Sequence, residues 1–257
     1  MALIRCHFFS PTLTQQTSLT VALPDALPAQ PCPLLYLLHG GTEDATLWFR
    51  EADPERIAND FGLIAVSLDA QSSSYADMAH GPRYFTYLTQ ELPAFLPSRL
   101  PVSTKRENTF IAGFSMGGHG ALKAAFRRPE LYAACIAISG ARDMIPLFEK
   151  WQTMDGGPDL QGVVDSLGPI DQLRGSENDI VFLAEQAAAR KDALPAFYLS
   201  CGLDDYAVQL SVDYHRHLQD VGLDHDWYQA PGIHGYAFAE EALRHALTLI
   251  WKGRDQT

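Results

Sequence analysis

The sequence predicts an α/β fold, in which a mostly parallel β-sheet carries α-helices on both faces. Short apolar runs alternate with helical patterns along most of the 257 residues. These runs are apolar at successive positions and stop at Gly, Asp or Ser, which is typical of strands buried on both faces of a parallel sheet. Strands that alternate with helices favour this layered arrangement. No repeat or linker divides the sequence, so we expect residues 1–257 to form one domain.

The chain opens with two β segments, at residues 3–9 and 18–23, which we expect to pair antiparallel at one edge of the sheet. Buried strands are predicted after them at residues 34–38, 63–68, 109–112, 132–138 and 196–200. A further strand pattern, at residues 226–230, precedes the last helix.

Helices are predicted between the strands from their end signals and apolar stripes. Asp53-Pro54 supplies an N-cap and a proline in the first turn, and Gly62 is a typical terminator. Residues 84–95 carry an apolar stripe at three- and four-residue spacing, which Pro93 is expected to kink or end. Further helices are expected at residues 120–127, after Ser176 as a cap to about residue 189, and at 206–222 and 237–251.

One segment, residues 142–175, departs from this alternation. It is rich in Gly, Pro and Asp, with scattered large apolar side chains. Two interpretations are open: a small cap that packs over the carboxyl ends of the strands, or an ordinary surface excursion.

The charge balance argues against nucleic acids and membrane surfaces as partners. Asp and Glu total 31 against 19 Lys and Arg, a net charge of −12. Such a surface repels phosphates and anionic lipid headgroups. No apolar run reaches the roughly 18 residues of a membrane span, and the first residues lack a secretory signal pattern. We therefore expect a cytoplasmic protein; a homo-oligomer is compatible with the sequence.

Cysteine and histidine spacing predicts neither a disulfide framework nor a metal site. Cys6, Cys32, Cys135 and Cys201 are widely separated, mostly with apolar neighbours, and are expected to be buried free thiols. The sequence contains no Cys-x-x-Cys pair and no His-Glu-x-x-His helix. We expect no metal and no cofactor.

The strongest chemical motif is Gly-Phe-Ser-Met-Gly-Gly at residues 113–118. It matches Gly-x-Ser-x-Gly, the sharp strand-to-helix turn that exposes a nucleophilic serine in the α/β-hydrolase fold. The surrounding sequence fits that context, because a buried strand pattern precedes it and an Ala-rich helical pattern follows. Ser115 is therefore the candidate nucleophile.

A serine hydroxyl needs an imidazole to take its proton and a carboxylate to orient that imidazole. In this fold the chain order is Ser, then Asp or Glu, then His. His234 lies in a Gly-flanked loop between the last strand pattern and the last helix, where a catalytic histidine is expected. Asp204 and Asp205 both follow the strand at 196–200, and spacing alone does not choose between them.

An oxyanion hole completes the predicted site. One N–H is expected from Met116, the residue after the nucleophile, and another from the His39-Gly40-Gly41 loop that follows the strand at 34–38.

The sequence resembles the tributyrin esterase branch of the esterase D-like family over nearly its whole length. The resemblance rests on residues 35–41 followed by Trp48, on residues 104–118, on residues 84–93 and on residues 175–179. The acid loop, Cys-Gly-x-x-Asp at residues 201–205, is also similar to that of the family.

This resemblance implies a serine carboxylesterase for short acyl esters, with Ser115, Asp205 and His234 as triad. It favours Asp205 over Asp204 and implies Gly41 and Met116 as oxyanion donors. Relatives include S-formylglutathione hydrolases, feruloyl esterases and acetylxylan esterases, so thioester hydrolysis and larger esters remain open alternatives.

Four aromatic residues are candidates for substrate binding. The segment 71–77 resembles a family segment at the pocket rim, which makes Tyr75 a candidate. Trp48, Phe114 and Tyr236 are bulky residues expected near the nucleophile, where they would shorten the acyl pocket. With no basic amphipathic helix for a lipid interface, we expect acetyl to butyryl esters as substrates.

Overall fold

The computed structural model describes residues 2–27, 31–156, 159–190 and 193–254. Its centre is an eight-stranded sheet with strand order β1-β2-β4-β3-β5-β6-β7-β8. The strands are β1 Ala2–Ser10, β2 Gln15–Leu23, β3 Leu34–Leu38, β4 Ile64–Leu68, β5 Thr109–Phe114, β6 Ala134–Ile138, β7 Ala196–Ser200 and β8 Asp226–Tyr228.

The predicted antiparallel pair lies at one edge, where β1 pairs with β2 and β2 pairs antiparallel with β4. From β4 to β8 every neighbouring pair is parallel. In this register Leu38 is level with Gly113, and Phe114 is level with Ile138. The carboxyl ends of β3, β5 and β6 therefore meet at the same edge of the sheet.

Helices cover both faces, as the sequence predicts. They are α1 Leu47–Glu51, α2 Pro54–Phe61, α3 Tyr84–Thr86, α4 Leu92–Phe95, α5 Met116–Arg127, α6 Ile145–Thr153, α7 Gln161–Leu167, α8 Ile180–Arg190, α9 Val208–Asp220 and α10 Tyr236–Arg254. Alternate strand residues point to opposite faces. Tyr36 and Ile111 belong to the core beneath α5 and α8, whereas Leu35 and Phe110 belong to the core beneath α2 and α10.

Several helix ends follow from the predicted signals. Asp53 accepts the Arg56 N–H, and Gly62 ends α2 in the left-handed conformation at φ +60°. Pro93 does not end its helix: α3 continues through one wide turn at Tyr87–Glu91 into α4. The prediction that Ser176 caps α8 was wrong, because Asp179 accepts the N–H groups of Val181 and Phe182 instead.

The segment 142–175 contains α6, α7 and a short 3₁₀ turn at Ile170–Gln172. Its apolar side chains form a small cluster of their own around Ile145, Phe148 and Leu173. Residues 157 and 158 of this segment lie outside the described residues, as do residues 1, 28–30, 191–192 and 255–257 of the expected single domain.

Candidate active site

Ser115 lies on the sharp turn between β5 and α5, at φ +54° and ψ −117°. A non-glycine residue at positive φ is strained, and such strain persists only where the surroundings enforce it. The enforcement comes from close backbone approaches. A Cβ on Gly113 would overlap the carbonyl of Gly117, and one on Gly117 would overlap the carbonyl of Leu38. Only glycine therefore fits at positions 113 and 117, because any side chain there would overlap the backbone.

His234 lies in the loop between β8 and α10 and contacts the serine directly. Its Nε2 is 2.9 Å from Ser115 Oγ, and its Nδ1 is 2.7 Å from Asp205 Oδ2. A carboxylate can only accept, so Nδ1 carries the proton and Nε2 is free to accept the hydroxyl proton of Ser115. This tautomer is the one that a general base requires.

The loop after β7 holds the carboxylate in place. Asp205 is 2% exposed, and its Oδ1 also accepts the N–H of Ala207 at 2.8 Å. Burial raises the pKa of Asp205, but the hydrogen bonds from His234 and Ala207 outweigh burial and leave that pKa below its ordinary value. Asp205 is therefore ionised at neutral pH. Asp204 is exposed, and its N–H donates to Gly232.

Gly41 and Met116 lie on the same cavity as Ser115. Met116 is the first residue of α5, so its N–H has no preceding helical turn to bond. The N–H of Gly40 is taken by Glu43 at 2.6 Å. Gly41 faces open space, since a Cβ there would meet no atom within 4 Å. Both N–H groups remain candidates for donation to an oxyanion formed at Ser115.

His39 and Tyr75 hold the loop that presents Gly41. The N–H of Ala70 donates to His39 Nε2 at 3.0 Å, so Nδ1 carries the proton and donates to the Gly40 carbonyl at 2.7 Å. Burial lowers the pKa of His39, which keeps this neutral form. The Tyr75 hydroxyl donates to the His39 carbonyl at 3.1 Å.

The four residues predicted to bind substrate lie behind this centre and not on the cavity wall. Tyr75 is fully buried beneath Gly120. Trp48 is also fully buried, and its Nε1–H donates to the Leu38 carbonyl at 3.0 Å. Phe114 packs against His234 and Tyr236, with ring centroids 4.7 and 4.8 Å apart. Their contacts support the loops and the imidazole, and direct contact of these four residues with substrate stays a prediction.

The cavity at Ser115 has a volume of about 190 Å³. The cavity is lined by the turn after β5, which carries Ser115, by the segment 142–175 and by the start of α8. The lining residues are Gly41, Ser74, Ser115, Met116, His119, Arg142, Asp143, Met144, Ile145, Phe148, Leu167, Leu173, Asn178, Asp179 and Ile180. Sequence reasoning missed His119, Arg142 and Asn178 as cavity residues. The one available signal was the suspected cap, because it begins at Arg142.

Within the described ranges, no helix is both long and apolar enough to cross a membrane. Over the same residues, no group of three or more His, Cys, Asp or Glu side chains is arranged to hold a metal ion.

Comparisons with known proteins agree on one group of enzymes. Residues 10–221 match the profile of the "Esterase" family, described as "Putative esterase". An acetyl esterase from Caldicellulosiruptor saccharolyticus is 26% identical over 268 residues, covering 99% of this chain and 100% of that one.

Two solved structures from Staphylococcus aureus cover the chain closely. The fluorophosphonate-binding serine hydrolase FphF, in a substrate-bound structure, has a TM-score of 0.87 and 28% identity, with 97% of this chain and 98% of that chain covered. The S-formylglutathione hydrolase FrmB has a TM-score of 0.85 and 29% identity, with the same coverage of 97% and 98%. These likenesses confirm the predicted α/β-hydrolase fold.

Proposed function

The chain belongs to the Esterase family, whose relatives here are serine carboxylic ester hydrolases, and from that premise we propose that Ser115, His234 and Asp205 form its catalytic triad. The observation that carries the proposal is the continuous hydrogen-bonded chain from Asp205 through His234 to Ser115 at the cavity floor. Such an arrangement activates a serine hydroxyl as a nucleophile.

The reaction follows from the positions of these groups. Ser115 Oγ attacks the ester carbonyl while His234 Nε2 takes its proton, and the ionised Asp205 stabilises the imidazolium that forms. The N–H groups of Gly41 and Met116 donate to the tetrahedral oxyanion. His234 then protonates the leaving alcohol, and water repeats the sequence on the acyl-enzyme.

The substrates are short acyl esters, acetyl to butyryl. The relative named as an acetyl esterase supports this range, and so does a cavity smaller than the roughly 300–1,000 Å³ of pockets for drug-sized ligands. The apolar side chains of the segment 142–175 close the cavity above Ser115, which supports a cap role for that segment within one domain.

A thioester such as S-formylglutathione is the second candidate substrate, favoured by the likeness to the S-formylglutathione hydrolase structure. Both reactions are acyl transfers to serine, so the triad serves either. Rates on acetyl esters and on S-formylglutathione, measured on the same preparation, distinguish them. Free thiols at Cys6, Cys32, Cys135 and Cys201 fit a reducing compartment and support a cytoplasmic location.

The decisive experiment targets Ser115. Treatment with an organophosphonate should leave one adduct, which peptide mass spectrometry locates on Ser115. Ser115→Ala should lower kcat/KM for p-nitrophenyl acetate by several orders of magnitude, since triad members act as a unit. Ser98→Ala, at an exposed position far from the cavity, is the matched control and should retain activity. An adduct on another serine, or an active Ser115→Ala enzyme, would refute the assignment.

A further inference from the structure

Arg142 is a buried cation on the wall of the cavity that contains Ser115. The residue is 5% exposed. Its Nε–H points to the thioether sulfur of Met144 at 3.1 Å, and its Nη1 is buried with no hydrogen-bond partner. Across residues 2–27, 31–156, 159–190 and 193–254, no carboxylate lies within 4.0 Å of its guanidinium.

The carboxylates near the cavity are engaged elsewhere. Asp143 Oδ2 accepts from Arg174 Nη2 at 2.6 Å, and Asp179 accepts from Arg174 Nη1 at 3.2 Å. Asp205 accepts from His234 and from the Ala207 N–H. None of these groups neutralises Arg142. A thioether and the ring of Tyr206, 5.6 Å from the guanidinium carbon, are weak compensation for a charge removed from water.

The position of Arg142 places it within the reaction space. It follows β6, whose end packs on the nucleophile turn: a Cβ on Gly140 would overlap the Ser115 carbonyl. Tyr206, which contacts Arg142, also packs on the His234 ring at 4.6 Å between centroids. A ligand held at Ser115 in this cavity therefore lies near the guanidinium.

We infer that Arg142 binds a carboxylate carried by the substrate, so that the preferred esters or thioesters of this enzyme bear an anionic group. This inference rests on the proposed esterase function and specifies its substrate class. A guanidinium suits this role because two of its coplanar N–H groups can donate to the two oxygens of one carboxylate. Ile145 and Phe148 line the same cavity, and apolar surroundings strengthen such a pair.

A second buried basic side chain, Lys123, lies near this part of the cavity, and burial lowers its pKa to about 7. Lys123 lies directly behind the wall, where its Nζ donates to the Ser74 carbonyl and to Asn178 Oδ1 at 2.8 and 2.9 Å. Burial, with the charges of Lys123 and Arg142, lowers the pKa of His119 to about 3. The buried Nδ1 of His119 also has no hydrogen-bond partner. A substrate carboxylate placed beside Arg142 would gain a charge-assisted hydrogen bond.

The carboxylate could belong to the acyl group or to the leaving group, and two matched substrate pairs separate these sources. The acyl pair is 4-methylumbelliferyl hemisuccinate and 4-methylumbelliferyl butyrate. The leaving-group pair is 4-butyryloxybenzoate and phenyl butyrate. Each pair differs mainly by one carboxylate. We expect the wild type to prefer the anionic member of one pair by about 10- to 100-fold in kcat/KM, the effect of a hydrogen bond to a charged partner.

Arg142→Met should abolish that preference, so that the anionic-to-neutral ratio of kcat/KM falls at least tenfold. Arg99→Met, at an exposed arginine, is the matched control and should keep the wild-type ratio. Because Arg142→Met could fail to fold, a second measurement uses the wild type alone. Succinate should inhibit phenyl butyrate hydrolysis competitively and raise the melting temperature, whereas the isosteric succinamide at equal ionic strength should do neither.

The outcomes separate this inference from the proposed function. If the wild type hydrolyses neutral esters through Ser115 but shows ratios near one in both pairs and no effect of succinate, the inference is overturned and the esterase assignment remains. If no ester is hydrolysed and the phosphonate does not label Ser115, the proposed function fails. In that case the difference in melting temperature between succinate and succinamide still decides whether Arg142 binds carboxylates.

Discussion

The hydroxyl of Tyr236 donates a 2.6 Å hydrogen bond to Glu43 Oε2, and the same carboxylate oxygen accepts the N–H of Gly40 at 2.6 Å. Tyr236 is the first residue of α10, only two residues after His234. One short chain of hydrogen bonds thus joins the histidine loop to the loop that presents Gly41. Tyr236 stays a predicted pocket residue, and we propose in addition that it positions the loop of the predicted oxyanion donor Gly41.

Tyr236→Phe should lower kcat by about tenfold with a smaller change in KM. The substitution keeps the ring contacts with Trp48 and Phe114 but releases Glu43, so Gly41 is held less firmly. Removing an oxyanion donor outright costs about 100- to 1,000-fold, and loosening one should cost less. Steady-state kinetics on p-nitrophenyl butyrate provide the measurement.

Tyr228→Phe is the matched control, because the Tyr228 hydroxyl also donates to a glutamate, Glu241, at 2.6 Å but on the exposed surface. It should leave kcat unchanged. Equal losses in the two variants, or a Tyr236→Phe loss confined to KM, would contradict the positioning role.

Asp205→Asn should reduce kcat/KM by about a thousandfold or more, whereas Asp204→Asn should stay near the wild type. An amide at position 205 would donate to His234 Nδ1 and favour the tautomer with the proton on Nε2, which cannot accept from Ser115. Asp204 is exposed and contributes its N–H, not its carboxylate, to the neighbouring loop. Circular dichroism of both variants checks folding, and comparable losses would contradict the choice of Asp205.

Lys123 should make stability depend on pH. Burial, and to a lesser extent Arg127, lowers the pKa of Lys123 to about 7 from 10.5. Between these values the unfolded chain binds a proton that the folded protein does not, so the free energy of unfolding rises with pH. Below pH 7 the folded state is protonated as well, and this dependence disappears. From pH 7.0 to 8.5 the rise attributable to Lys123 should be about 1–2 kcal/mol.

Urea unfolding of the wild type and of Lys123→Met over this range tests the prediction. The wild type should gain stability more steeply than Lys123→Met, and Lys105→Met, at an exposed lysine, should follow the wild type. The range stops at pH 8.5 because burial raises the pKa of Cys135 and Cys201 in the fold, while the thiols of the unfolded chain ionise increasingly around that pH. All three proteins share this contribution, so it cancels when their slopes are compared. Parallel slopes for all three proteins would show that Lys123 is charged in the fold.

The sheet and its helices were predictable because local pattern and tertiary position agree. Residues 34–38 are apolar at every position and are buried on both faces as β3. Helix α2 begins after Asp53 and ends at Gly62, as its end signals predict. The predicted cap of α8 was wrong because another side chain competes for the same N–H groups: Asp179 takes the place of Ser176. Of the two alternatives at Pro93, the helix does not end there, and it widens in the turn just before the proline.

The candidate site was predictable only where sequence neighbours carry the chemistry. Ser115 stands in a motif, and its partner His234 in a recognisable loop. Trp48 and Tyr75 are fully buried beside the predicted site, and their contact with substrate stays a prediction, because sequence does not show which way a side chain points. Arg142 was missed because what distinguishes it is a buried Nη1 without a hydrogen-bond partner. A sequence pattern does not show whether a buried side chain has a partner.

The length of the acyl group should have an optimum between two and four carbons. The cavity is about 190 Å³ and is bounded by Met116, Phe148 and Leu173. Each methylene that fits adds roughly 0.8 kcal/mol of burial, or about fourfold in kcat/KM, until the cavity is full. Overfilling then costs about 1–3 kcal/mol, so the rate should fall beyond the optimum. A series of p-nitrophenyl esters from two to sixteen carbons measures this profile.

Phe148→Ala tests whether the cap segment sets that limit, because it removes a large side chain from the cavity wall. The optimum should move to longer acyl groups, as the space vacated by the ring admits additional methylenes. Met154→Ala, which changes an exposed apolar residue of the same segment outside the cavity, should leave the optimum unchanged. A wild-type optimum at eight carbons or more, or a jump in rate above the micelle threshold, would show a long acyl site. An optimum that Phe148→Ala does not move would mean that the acyl group lies away from the cap, against the nucleophile strand.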